Sequence, residues 1–437
     1  MSFSEPVLVV LGGGAAGLAG AVEAARIYPG RVMVLDQAPL ISVGTCGLPY
    51  LVGGQIARPE ALVLNDAAQL EARGLVVRLH SRVQSIDLTA RRVTYQDLER
   101  GSQGTLPFQN LLLTLGGQCD FPGAHFANVI SPRDMVTSLR ARAWMGQPEC
   151  RRVLVVGAGY LGLELAEAAR FAGKKVTVVD PTDRLLGLTR SDLVEAELKR
   201  QGVDLQRARL VAWEGEGLAR QGVLSDGQRL PFDLALVATG VRPTHSALQE
   251  LSLERGPTGG IRVDRQGRTS RGGVFAAGDG CEIPRRDGPG HVFLPLARPA
   301  ALLGRVAGAV AVGQPGRFHG CLPCGSVKVF DLEVAWAGTP PEQAEVFAGR
   351  SSTRSSYWPD NGWLDLTLFF AGPGGPLRAA QAVGSEGAVA RIQTLALAIE
   401  QNLAADQLAN SDYAYTPPFS GLWDPIVRTV RPSKRWA

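Results

Sequence analysis

Short apolar runs, each four or five residues long, recur through the first two-thirds of the chain. They are VLVVL at 7–11, VMVL at 32–35, VLVV at 153–156, VTVV at 176–179 and VFAA at 274–277. None alternates with polar residues, as a half-solvated strand would. Runs of this kind suit strands buried on both faces of a parallel sheet. After the first and third, the pattern changes to small and apolar residues at helical spacing, which predicts strand–helix–strand units. The second run ends in Asp36 and the fourth in Asp180.

The joints between strand and helix carry the chemistry. Gly12-x-Gly14-x-x-Gly17 follows the first run, and Gly157-Ala158-Gly159-Tyr160-Leu161-Gly162 follows the third. In such a loop the first glycine makes the tight turn, the second lets a pyrophosphate approach, and the third lets helix pack on strand. The phosphate then meets free N–H groups at the helix N-terminus. Asp36 and Asp180 are placed to accept hydrogen bonds from a ribose diol. A lone glycine loop says little; two, each with its strand, helix and acid, imply two bound dinucleotides and electron transfer between them. A third segment, Val274-Phe275-Ala276-Ala277-Gly278-Asp279-Gly280, reads as a strand ending in a Gly-Asp turn. Asp279 is suited to hold the sugar-alcohol chain of a flavin.

Composition narrows the class. The chain has 437 residues, 45% apolar and 20% charged, which predicts two or three globular domains. A net charge of +4 without a basic block argues against nucleic acid as a partner. The apolar stretch from residue 7 lacks a basic leader and carries glycines at loop spacing, so a strand–turn–helix is expected there rather than a targeting or membrane segment. Six cysteines, at 46, 119, 150, 281, 321 and 324, form no framework and fit a cytoplasmic protein. Cys321-Leu322-Pro323-Cys324 has only His319 nearby, too few ligands for a structural zinc, and no metal is expected. Cys46 differs from the rest. It stands in Ser42-Val43-Gly44-Thr45-Cys46-Gly47-Leu48-Pro49-Tyr50, a glycine-flanked turn leading into a helix, where a thiol becomes a nucleophilic thiolate more readily.

The order of these motifs, with Ala238-Thr239-Gly240-Val241-Arg242-Pro243 before the VFAAGDG segment, resembles the FAD-dependent pyridine nucleotide–disulfide oxidoreductases along essentially the whole chain. Within them the chain looks like the single-cysteine branch, most like coenzyme A disulfide reductases, because Leu51 stands where a second redox cysteine would be. The resemblance implies an α/β fold with two Rossmann-like dinucleotide-binding domains and an α+β C-terminal dimerisation domain. The FAD domain would span 1–118 and 246–325, the NAD(P) domain 119–245, and the dimerisation domain 326–437. Five of the seven tryptophans, at 336, 358, 363, 423 and 436, fall in that last part, as suits a homodimer interface.

Residue roles follow from the same resemblance. FAD would be held by Gly12, Gly14, Gly17, Asp36, Gly278, Asp279 and Ala297. NADH or NADPH would be held by Gly157, Gly159, Tyr160, Gly162, Glu164 and Asp180, with Tyr160 covering the nicotinamide pocket. The carboxylate of Asp180 favours NADH over the 2′-phosphate of NADPH. Cys46 would attack a disulfide, and Tyr415 and Tyr357 would assist the departing thiolate, across a homodimer. Arg26, Ser42 and Thr45 would meet a substrate derived from coenzyme A, either a disulfide or a persulfide. Thr45 replaces the family's Asn, and Leu296-Ala297-Arg298 lacks its usual His or Asn, so the thiol partner stays open. Peroxidases and oxidases of the branch carry His in the first glycine loop where this chain has Ala15, which favours a disulfide acceptor. An NADH oxidase or peroxidase working through a cysteine sulfenic acid, and a non-catalytic flavoprotein redox sensor, are the alternatives.

Overall fold

The computed structural model describes residues 6–119, 121–243, 247 and 251–431; Trp436 and the expected domain boundary at 245–246 lie outside them. In chain order the first stretch forms β1 (Leu8–Leu11), α1 (Ala15–Ala25), β2 (Val32–Leu35), α2 (Leu48–Gly53), β3 (Leu75–Arg78) and β4 (Asn110–Leu113). The next forms β5 (Val129–Ile130), β6 (Arg152–Val156), α3 (Tyr160–Phe171), β7 (Lys175–Val179), β8 (Val203–Gln206) and β9 (Leu234–Val237). The chain returns through β10 (Val274–Ala276) and α4 (Ala297–Ala311). It ends in β11 (Cys324–Val329), β12 (Leu332–Gly338), β13 (Glu345–Ser352), β14 (Trp363–Phe370), β15 (Leu377–Gly384) and α5 (Ala388–Glu400).

The described chain falls into two compact units. One contains residues 1–48, 58–120 and 240–321; the other contains 49–57, 121–239 and 322–437. The first is centred on a parallel sheet in the order β10-β4-β1-β2-β3. Apart from Arg78 and Asn110 at strand ends, its strands are apolar because successive side chains enter different cores. Val9, Leu11, Met33, Leu35, Leu111 and Leu113 pack into one cluster, while Leu8, Val10, Val32, Val34 and Leu112 pack into another. That is the period of two expected of a sheet covered on both faces.

The helices α1 and α4 cross this unit in near backbone contact. A Cβ at Gly304 would lie 2.1 Å from the Ala16 carbonyl oxygen, and one at Gly308 would lie 2.1 Å from that of Gly20. Glycines four apart on α4 therefore seat the backbone of α1.

The second unit repeats the arrangement with a parallel sheet in the order β8-β7-β6-β9-β5. Here too the residues alternate between cores, Val153, Val155, Val176 and Val178 on one side and Leu154, Val156 and Val179 on the other. The same unit includes an antiparallel sheet in the order β11-β12-β15-β14-β13. Helix α5 buries Ile392, Leu395 and Ile399 in the cluster formed by Leu364, Leu366, Leu368, Ala380 and Ala382 of that sheet. Asp365 of β14, 4% exposed, accepts a hydrogen bond from Arg190 at 2.7 Å and so ties the connection between β7 and β8 to this antiparallel sheet.

Candidate active site

The two glycine loops have nearly the same geometry. Gly12 has φ +102° and Gly157 has φ +101°, in the region that only glycine adopts without strain. A Cβ at Gly17 would collide with the Gly12 carbonyl oxygen at 1.9 Å, and one at Gly162 with that of Gly157 at 1.8 Å. The middle glycines differ from these. A Cβ on Gly14 or Gly159 would meet nothing within 4 Å, so each faces open space at a helix N-terminus with no side-chain cap. Such a cradle fits a phosphate. The acids repeat as well. Asp36 accepts from the Gly13 N–H at 2.6 Å and the Ala38 N–H at 2.8 Å. Asp180 accepts from the Ala158 N–H at 2.7 Å and the Thr182 N–H at 2.8 Å. Each carboxylate is fixed against its loop with lone pairs to spare for a ribose hydroxyl.

In the first unit a second turn joins the loop. Gly278 has φ +84°, and a Cβ there would lie 3.2 Å from the Ala16 side chain and 4.0 Å from that of Ala300. The Gly278-Asp279 turn thus sits against the first turns of α1 and of α4, the helix that begins at Ala297. Thr114, just after β4, braces the glycine loop, because its hydroxyl donates to the carbonyls of Leu11 and Gly12, both at 2.9 Å. A glycine loop and turn of this kind fit a flavin adenine dinucleotide.

Cys46 is exposed on a short 3-10 turn, Thr45–Gly47, which runs directly into α2. Two tethers hold the turn: the Gly44 N–H donates to Leu62 O at 2.7 Å, and the Leu64 N–H donates to Ser42 O at 2.9 Å. Ser42 is buried with φ +58°, and its hydroxyl accepts from Asn65 Nδ2 at 3.2 Å. The chain itself does not crowd Gly44, where a Cβ would meet only Leu62 O at 3.6 Å. Leu51 is fully buried, so the place of a second redox cysteine is a core position. Thr45 is exposed, and Arg26, at the end of α1, is paired with Glu23 at 3.1 Å on the surface.

In the second unit Tyr160 opens α3, and Glu164 stands one turn on. Burial, reinforced by Glu167, raises the Glu164 carboxyl to about 7, against the opposing effect of a hydrogen bond from Tyr50. Burial also pushes the Tyr160 phenol well above its ordinary value. Tyr50 was not among the expected site residues. Its position four residues after Cys46 was visible in the sequence, but its partner on α3 was not.

Tyr357 and Tyr415 come together, although 58 residues separate them, with hydroxyls 3.2 Å apart. Their hydrogen bond raises Tyr357 and lowers Tyr415, as expected when Tyr357 is the donor. Both are exposed, along with Trp358, Phe419, Leu422 and Trp423. Trp336 and Trp363, by contrast, are partly buried within the second unit. Cys321 is buried and Cys324 is exposed; among the described residues no group of three or more His, Cys, Asp or Glu gathers to hold a metal.

Comparison with known proteins agrees with this geometry. The family model described as pyridine nucleotide-disulphide oxidoreductase matches residues 6–293. An NAD(P)H sulfur oxidoreductase (CoA-dependent) of Pyrococcus abyssi is 29% identical over 98% of this chain and 98% of its own. An NADH oxidase of Enterococcus faecalis is 26% identical over 90% of this chain and 91% of its own. The structure of an NAD-dependent persulfide reductase from A. fulgidus superposes with a TM-score of 0.92 at 29% identity, covering 97% of this chain and 82% of that one.

Proposed function

The chain belongs to the pyridine nucleotide-disulphide oxidoreductase family, and from that premise we propose that it reduces a disulfide or persulfide of coenzyme A with electrons from NAD(P)H, through FAD and the single thiol of Cys46. The observation that carries this reading is Cys46, exposed on a turn feeding a helix, with buried Leu51 where a second cysteine would be. With no second cysteine beside it, Cys46 would form its disulfide with the substrate. The relatives named for CoA-dependent sulfur reduction and for persulfide reduction support the same acceptor class.

FAD would be held by Gly12, Gly14, Gly17, Asp36, Gly278, Asp279 and Ala297, and when bound it supplies the two-electron relay between nicotinamide and sulfur. NAD(P)H would lie on Gly157, Gly159 and Gly162, with Asp180 on the ribose and Tyr160 and Glu164 at the nicotinamide. The Cys46 thiolate attacks one sulfur of RSSR′, forming the Cys46–S–S–R bond and expelling R′S⁻. Two electrons from NAD(P)H then cleave that bond, release RS⁻ and return the Cys46 thiolate. The net reaction is NAD(P)H + H⁺ + RSSR′ → NAD(P)⁺ + RSH + R′SH. With a persulfide, R′ is hydrogen and the second product is hydrogen sulfide. Arg26, Ser42 and Thr45 are the substrate contacts on this reading.

Tyr357 and Tyr415 would protonate the departing thiolate, the donating phenol pair of one copy serving the cysteine of another in a homodimer. The exposed apolar side chains of Trp358, Phe419, Leu422 and Trp423, close to the two tyrosines in the sequence, support that arrangement. Ala15, which cannot supply the proton chemistry of a loop histidine, weighs against oxygen or peroxide as acceptor.

Intact mass of the purified protein, before and after dithiothreitol, tests the proposal. A reductant-labile adduct with the mass of coenzyme A is expected on the wild type after incubation with CoA disulfide, and none on Cys46→Ser. An unmodified cysteine, together with oxygen turnover faster than turnover of any CoA disulfide or persulfide, would instead establish the NADH oxidase reading that the Enterococcus faecalis relative represents.

A further inference from the structure

Side chains at 160, 164, 167 and 168 lie on one face of α3, the spacing that aligns residues along a helix. Glu167 pairs with Lys328 and accepts from the Phe330 N–H at 2.8 Å, which fixes α3 against β11. At the other end of this face the Tyr160 ring stacks on Trp336 of β12, with centroids 4.6 Å apart and planes inclined by 11°. The alternation of β12 explains why the indole points there: Leu332 and Val334 pack in the core shared with α3, while Ala335 and Ala337 face α5. Across the strand pair Trp336 is in register with Gly325 of β11. A Cβ at Gly325 would lie 2.1 Å from Cη2 and 2.3 Å from Cζ2 of the indole. The indole therefore lies flat over a bare stretch of β11 backbone and presents its edge of the stack to Tyr160.

We propose that Trp336 is a positioning residue for the nicotinamide site: lying across Gly325 and stacked on Tyr160, it holds the phenol ring in one orientation and thereby sets the affinity for NAD(P)H. The proposal rests on the assignment of Tyr160 to the nicotinamide pocket made above. A tyrosine at the first position of a helix otherwise samples several rotamers, and ordering it on ligand binding weakens the complex. The stack removes that cost in advance. Its strength is that of an aromatic pair, so losing it corresponds to roughly a two- to twelvefold change in affinity.

The test uses the full-length FAD-loaded enzyme, with calorimetric titration of NAD⁺ and steady-state kinetics with NADH. Trp336→Ala removes the indole, and Gly325→Ala displaces it without removing it. Both are expected to raise the Kd for NAD⁺ and the KM for NADH by about two- to twelvefold, with kcat changed by less than about twofold. Trp336→Phe, which restores a stacking ring, is expected to return both constants to near the wild-type values. In a Tyr160→Ala background the Trp336→Ala substitution should add nothing further. The near-ultraviolet circular dichroism of Gly325→Ala reports independently that the ring pair has moved.

If Tyr160→Ala weakens NAD⁺ binding while Trp336→Ala and Gly325→Ala leave it unchanged or tighten it, the positioning role is wrong and the nicotinamide assignment survives. If Tyr160→Ala leaves binding unchanged, the assignment of Tyr160 fails, and the role of Trp336 with it. A loss of thermal stability in Trp336→Ala without a change in Kd marks the indole as packing alone.

Discussion

Glu164 is the residue whose environment most alters its chemistry. Burial first, and then Glu167, lift its carboxyl from an ordinary 4.5 to about 7, so the folded chain favours the neutral form. The sign follows from linkage. A carboxyl raised by folding contributes stability that is fully present below its unfolded value and is lost as pH climbs through the folded one. Glu164→Gln, which imitates the neutral form, should therefore be nearly as stable as wild type near about pH 5 and more stable near about pH 8. Urea denaturation at the two pH values measures the difference. The same substitution should remove an inflection near 7 from the pH profile of kcat/KM for NADH. At Cys46 the expectation is simpler: Cys46→Ser should lower turnover of CoA disulfide by on the order of a thousandfold or more, measured by NADH oxidation under anaerobic conditions. The turn that carries Cys46 was legible from its glycine flanks. The raised Glu164 was not, because it depends first on burial that no local pattern records, with Glu167 adding to it.

Among the elements, the strand–loop–helix units were the most legible part of the chain. Glycine spacing encodes covalent and steric necessity, and the collisions at Gly17 and Gly162 leave those positions no other residue. The contact between α1 and α4 had a signal too, in glycines four apart at 304 and 308, but nothing in α4 alone names its partner far upstream in the chain. Gly304→Val tests that contact. Its side chain would be forced into the Ala16 carbonyl, so a loss of about 1–3 kcal/mol is expected from chemical denaturation. Because the same contact sets the first turns of α1 and α4 beside Gly278, the purified variant should also retain less flavin, read from the ratio of visible to ultraviolet absorbance. The Trp336–Tyr160 stack was illegible for a related reason. It needs the register of β11 with β12 before Gly325 can be seen to make room for an indole.

For the whole molecule, composition and motif order pointed to the fold class, while the grouping of the parts came from packing. The second compact unit includes both the parallel sheet around β6 and the antiparallel sheet around β12. Thr189 and Arg190, in the connection between β7 and β8, donate hydrogen bonds to Gln381 and Asp365 of the antiparallel sheet, and no motif announces them. Self-association belongs to this scale. Phe419 is 78% exposed and Trp423 54% exposed beside the Tyr357–Tyr415 pair, an apolar surface that a second copy of the chain would cover. If the chain dimerises through this surface, as proposed, a Phe419→Asp, Trp423→Asp double variant is monomeric in light scattering where the wild type is dimeric, and loses disulfide turnover with it. Retention of the dimer would place the interface elsewhere.

The two glycine loops agree within a degree in φ at their first glycine and within 0.1 Å in the grip of their acids on the loop N–H groups. Locks so alike cannot by themselves tell one key from another. On the proposed assignment both would read only the adenosine diphosphate that flavin and nicotinamide cofactors share, and discrimination would fall to the surroundings: the Gly278-Asp279 turn in one unit, Tyr160 and Glu164 in the other. Adenosine diphosphate alone should then compete in both places, displacing NADH promptly and FAD only as fast as the flavin lets go. On that assignment the molecule would spend its first recognition step twice on the same fragment and obtain its selectivity from what lies beyond it.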